Sequence, residues 1–152
     1  MRDTIQSSLK TALKAGQAKE VSTLRLISAA LKDKDIAARS KGNTDGISDD
    51  EILSMLQTMI KQRQESAKMY REGGREELAQ SEDDEIEIIK TFLPEQMDDA
   101  AVADAISAAI GATGAESIKD MGKVMGHLKE NFAGQMDFGA ASGAIKARLL
   151  GQ

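Results

Sequence analysis

One proline, Pro94, interrupts 152 residues, and on both sides of it the apolar residues recur with helical rather than strand spacing. A proline stops a helix because the residue before it is pushed out of helical geometry and its own nitrogen has no hydrogen to donate. No stretch of real length alternates apolar and polar residues, so the chain is expected to be all-α. Pro94 is the best boundary, which divides an N-terminal multi-helix domain, residues 1–94, from a C-terminal domain, residues 95–152. Aromatic residues at 3% and a dominance of Ala, Leu, Ile and Met suit helices throughout.

The stripes can be followed one by one. Ile5, Leu9, Ala12 and Leu13 mark a first helix that ends near Gly16. Leu24, Ile27 and Leu31 mark a second, which begins near Lys19 and fades at Gly42. Residues 41–46, KGNTDG, are a loop of turn formers. Ser48 and Glu51 then have the spacing of a capping box, in which hydroxyl and carboxylate satisfy each other's backbone amides. Ile52, Leu56, Met59 and Ile60 continue this helix to about Arg71, where Gly73 and Gly74 break it. A short turn around Leu78 is expected next, and then a helix carrying Ile86, Ile89 and Phe92. Beyond Pro94, Asp98 caps a helix bearing Val102, Ile106 and Ile110; residues 111–117, GATGAES, read as a loop. Met121, Val124, Met125, Leu128 and Phe132 form a clean apolar face, and Asp137 caps a last helix.

Composition removes several kinds of chemistry. Without cysteine there is no disulfide, no thiolate nucleophile and no thiolate metal site. One histidine, His127, cannot build a His-based metal cluster, and no Gly-rich phosphate loop is present. No catalytic residue, metal or cofactor is expected. No apolar run is long enough to cross a membrane, and the first residues lack the apolar core of a signal peptide, so a cytoplasmic protein is expected. The acidic pairs Asp83/Asp84 and Glu85/Glu87 read as a solvated helix face, and His127 as a surface residue pairing with Glu130.

Charge is unevenly spread around a net −5. Residues 1–41 hold nine Lys/Arg against four Asp/Glu, and residues 61–75 hold five against two. Residues 76–87 hold seven acids and no base. Neighbouring helices whose opposite charges meet explain this pattern most simply. Arg25, Lys32 and Arg39 on the second helix, with Lys61 and Arg63 on the third, are a candidate secondary basic strip for phosphates.

Two glycines resist a bland account. Gly122 and Gly126 stand one turn apart inside an amphipathic helix, where each costs roughly 0.5–1 kcal/mol relative to alanine. They expose bare backbone on one side, with Lys129 on the same face and Lys119 and Lys123 at the helix start. Such a face admits another backbone at close range. A neighbouring helix is the simpler occupant and a sugar–phosphate chain the other.

The run KDMGKVMG, with TLRLISAALKDKDI (23–36), KQRQES (61–66) and GREELAQSEDDEIEIIKTFLPEQM (74–97), resembles the stand-alone type of the GatB/YqeY family over most of the chain. The resemblance implies a helical N-terminal domain followed by a small three-helix domain. That C-terminal domain is similar to the tail of the GatB subunit of tRNA-dependent amidotransferase, an enzyme that converts Glu- or Asp-loaded tRNA to the Gln or Asn form. In that enzyme the tail touches tRNA, while glutamine hydrolysis and amide transfer, a carbon–nitrogen ligase activity, take place in other domains and subunits. The resemblance therefore implies a non-catalytic, tRNA-associated module with tRNA, an amidotransferase or an aminoacyl-tRNA synthetase as partners. A protein–protein adaptor docking through its charged helices is the alternative. Lys119, Gly122, Lys123, Gly126, Lys129, Gly134 and Gln135 are the candidate RNA-binding residues. Gln135 stands where many relatives carry an arginine, and from Glu95 onward five Lys/Arg face eight Asp/Glu. Fewer phosphate contacts and a flatter salt dependence follow from that departure.

Overall fold

The computed structural model describes residues 1–151. It contains seven α-helices, one short 3₁₀ turn and, among the described residues, no strand. The all-α expectation holds. The chain divides into two compact units, Met1–Pro94 and Glu95–Gln152.

The first unit comprises α1 (Arg2–Ala15), α2 (Ala18–Ser40), α3 (Asp49–Glu72) and α4 (Glu76–Lys90). Helix α1 stops at Gly16, whose φ of 67° is left-handed and turns its amide back to the carbonyls of Ala12 and Leu13. The capping box at α3 forms as expected. Ser48 Oγ accepts from the Glu51 amide at 3.2 Å, and Glu51 Oε2 accepts from the Ser48 amide at 2.8 Å. Helix α4 packs against α3 and α2, and α1 packs on α2. Ile5, Leu24, Ile27, Ile52, Leu56 and Ile89 meet in the core. Each such side chain contributes roughly 2 kcal/mol by leaving water. Leu13, expected on the inner stripe of α1, is instead 49% exposed.

Both ends of α4 differ from the sequence reading: the expected helix carries Phe92, yet α4 ends at Lys90 and i→i+3 turns follow up to Leu93. Leu78 lies not in a separate turn but in the first turn of α4, because the Arg75 carbonyl already accepts from the amides of Leu78 and Ala79. The acid-rich run continues as helix, and cations of neighbouring helices face it. Lys19 pairs with Asp84, Arg71 with Asp83 and Glu76, and Arg63 with Glu85. Opposite charges on adjacent helices do meet.

The loop between α2 and α3 is pinned by side chains. Arg2 grips both carboxylate oxygens of Asp35 and donates to the Ile47 carbonyl at 2.8 Å. The Ile47 amide donates to Asp35 Oδ1 at 2.9 Å. Gly46, at φ 89°, passes so close that a Cβ there would lie 2.6 Å from Arg2 Nη2 and 2.8 Å from Asp35 Oδ1. Only glycine fits.

The second unit is formed by α5 (Asp99–Thr113), α6 (Met121–Phe132) and α7 (Phe138–Leu149), with the 3₁₀ turn Ile118–Asp120 leading into α6. Asp98 accepts from the Ala101 amide at 2.7 Å and Asp137 from the Gly139 amide at 2.9 Å, so both expected caps are present. Helix α5 runs to Thr113, three residues into the stretch read as a loop. A left-handed Gly114 ends it, not Gly111. Ile106, Ala109, Val124, Leu128, Met136 and Ile145 make the second core.

Candidate nucleic-acid interface

Helix α6 exists because its apolar side is buried: Val124 and Leu128 are fully enclosed, and Met121, Met125 and Phe132 pack around them. The glycines occupy the other side. Where a Cβ would stand at Gly122 or Gly126, no atom beyond the helix's own backbone lies within 4 Å. Packing against a neighbouring helix, the simpler sequence expectation, is therefore not what the structure contains. Nothing in the second unit explains these two glycines by crowding.

The cations flank this open backbone. Lys119, Lys123 and Lys129 are all exposed. The Lys123 side chain is 72% exposed and meets only a loose partner, Asp120, at 3.9 Å. Asp120 itself is directed elsewhere: its Oδ2 accepts from the Glu116 amide at 3.0 Å and the Ser117 amide at 3.3 Å. Those two amides, with the Lys123 charge, hold its carboxyl below the usual carboxylate range. Asp120 also stands at the N-cap of α6, so the helix start carries its own negative charge and is not the open anion site that its free amides suggest.

Gly134 and Gln135 have structural duties. Gly134 is buried at φ 76°, and its carbonyl accepts from Gln96 Nε2 at 2.7 Å. The Gln135 carbonyl accepts from the Met97 amide at 3.0 Å. Together they tie the segment before α5 to the turn after α6. A buried Gly134 does not present its backbone to a ligand, which corrects its place beside the open face.

His127 also differs from expectation. It makes no ion pair with Glu130; the side chain is half-buried, and Nδ1 is enclosed without a hydrogen-bond partner. Its position was legible, but the burial of one ring nitrogen against the helix had no signal in the sequence.

The secondary strip is divided. Arg25, Lys32, Arg39 and Lys61 are exposed. Arg63 is committed: Nε donates to Glu85 at 2.7 Å and Nη1 to the Met59 carbonyl at 3.1 Å. Its reach towards a phosphate would cost that half-buried pair. Among the described residues no group of three or more His, Asp or Glu could hold a metal ion, and no helix is long and apolar enough to cross a membrane.

No curated protein matches the sequence. A family model described as Yqey-like protein matches residues 2–149, which takes in all seven helices from the first residue of α1 to the last of α7. The chain belongs to the YqeY family.

Proposed function

We propose that this chain is a non-catalytic, tRNA-associated module linked to aminoacyl-tRNA or tRNA-dependent amidotransferase metabolism, in which the outer face of α6 meets the sugar–phosphate backbone. One observation carries the reading: the positions of Gly122 and Gly126 open outwards, with exposed lysines around them. A bare helix backbone permits an approach that side chains forbid, and Lys119, Lys123 and Lys129 supply the charge. The likeness to the amidotransferase tail supports the same face. Cytoplasmic location and two independently folding domains, 1–94 and 95–152, belong to this reading. The adaptor alternative has less support, because four acids of α4, Glu76, Asp83, Asp84 and Glu85, are already engaged by Lys19, Arg63 and Arg71.

Filter-binding or anisotropy titration of purified chain with bulk tRNA at graded salt tests it. The expected result is weak, salt-sensitive association that Gly126→Ala reduces while the variant stays folded. Lys123→Ala should lower the salt slope by about one unit. The same preparation, given glutamine, ATP, magnesium and Glu-loaded tRNA, should yield no amidated product. Absence of association at low salt, or association indifferent to both substitutions, rejects the proposal.

A further inference from the structure

The first unit contains a groove of about 700 Å³ between α1, the start of α2 and the end of α4. Its floor is apolar, made by Ala12, Leu24, Ile88 and the ring of Phe92. Its rim carries three carboxylates, Asp3, Glu20 and Glu87, and no Lys or Arg lines it. That exclusion is informative, because residues 1–41 hold nine Lys/Arg and only four Asp/Glu. Two of those four acids line this groove, and the cations point elsewhere.

Two of the hydroxyls on the rim share this polarity. Thr11 Oγ1 donates to the Ser7 carbonyl at 3.0 Å, and Thr91 Oγ1 donates to the Ile88 carbonyl at 2.7 Å. With their protons spent on the helix backbone, these oxygens offer the groove lone pairs only. Carboxylates are acceptors as well. Among the described residues only Lys90 forms an ion pair with a rim acid, holding Glu87 at 3.3 Å in a surface pair one helical turn apart, an interaction of little strength that an incoming cation can replace.

A groove with three carboxylates at its rim and hydrocarbon at its floor takes a ligand with the opposite pattern. That ligand has several ammonium groups separated by short methylene stretches. We propose that this groove binds a linear aliphatic polyamine, whose ammonium groups meet Asp3, Glu20 and Glu87 while its methylenes cover Leu24, Ile88 and Phe92. From Asp3 to Ala12 the α1 wall extends about 13 Å at helical rise, room for an extended chain rather than a single ammonium. Phe92 adds a ring face to the cation's surroundings.

Calorimetric titration of the purified chain with spermidine, without RNA, tests this independently of the tRNA reading. Saturable one-to-one binding is expected. The combined variant Asp3→Asn, Glu20→Gln, Glu87→Gln should weaken it by about tenfold or more. Ser7→Lys, at an exposed rim position, should do the same while all three carboxylates remain. Neutralising Glu130 in the other unit should change nothing. Circular dichroism establishes that each variant is folded. Absence of saturable binding, equal binding of magnesium at matched ionic strength, or binding unmoved by the rim variants would overturn the proposal.

Discussion

Gly46 and Gly126 are the same residue put to opposite uses. At Gly46 the surrounding chain demands glycine: the backbone is left-handed, and Arg2 and Asp35 occupy the space a side chain would need. At Gly126, and at Gly122 one turn before it, the space is empty. The contrast extends to the units that hold them. No glycine lies inside α1, α2, α3 or α4, whereas Gly111, Gly122, Gly126, Gly139 and Gly143 lie inside the helices of the second unit. A glycine required from within says how the chain folds. Gly111 and Gly143 meet nothing either, so open space alone singles out no surface; what distinguishes α6 is two such glycines one turn apart with exposed lysines around them.

The largest effect that could break this comparison is expected at Gly46. Gly46→Ala forces a side chain into a left-handed position and against the Arg2–Asp35 pair, so it should destabilise the first unit by roughly 2–3 kcal/mol. Denaturation followed by residue-resolved NMR checks it. Signals of residues 95–152 should persist where those of 1–94 are lost; joint loss of both sets would reject independent folding.

A smaller effect concerns what crowds Gly46. Arg2 beside Asp35, with the Ile47 amide, holds that carboxyl at about 2, well below the ordinary value near 4. A depressed carboxylate contributes stability above its unfolded pKa, and that contribution is lost as pH falls from about 4 towards 2. Partial exposure screens the pair, so about 1 kcal/mol is expected from pH melts, and Asp35→Asn should flatten the acid limb. An unchanged acid limb would remove Asp35 from this account.

The smallest effect has the opposite sign. Gly122→Ala should stabilise the second unit by about 0.5–1 kcal/mol, since the new methyl enters open space and the unfolded chain loses freedom. A lower melting temperature would mean that the face is covered after all.

Much of the molecule was legible from local rules. The capping box at Ser48 and Glu51, the caps at Asp98 and Asp137, and the apolar face of α6 each depend on residues within one or two turns. Leu78 belongs to α4 because the Arg75 carbonyl accepts from the Leu78 and Ala79 amides, and the acids Glu76 and Glu77 suit the positive end of the helix dipole. The extent of α5 was misread because GATGAES contains two glycines, and only Gly114 takes the left-handed turn.

The sequence alone determined that this chain is helical, where most helices begin and end, and that α6 carries glycines a helix would not choose. Those properties are local, set by backbone sterics, caps and periodicity. Tertiary structure decided that nothing in the second unit packs on the glycine side of α6, that Gly134 is buried and bonded to Gln96, that Arg63 is held by Glu85, and that three carboxylates converge on a groove that no Lys or Arg lines. Each depends on residues many positions apart becoming neighbours, and one sequence, read along its length, does not contain those distances.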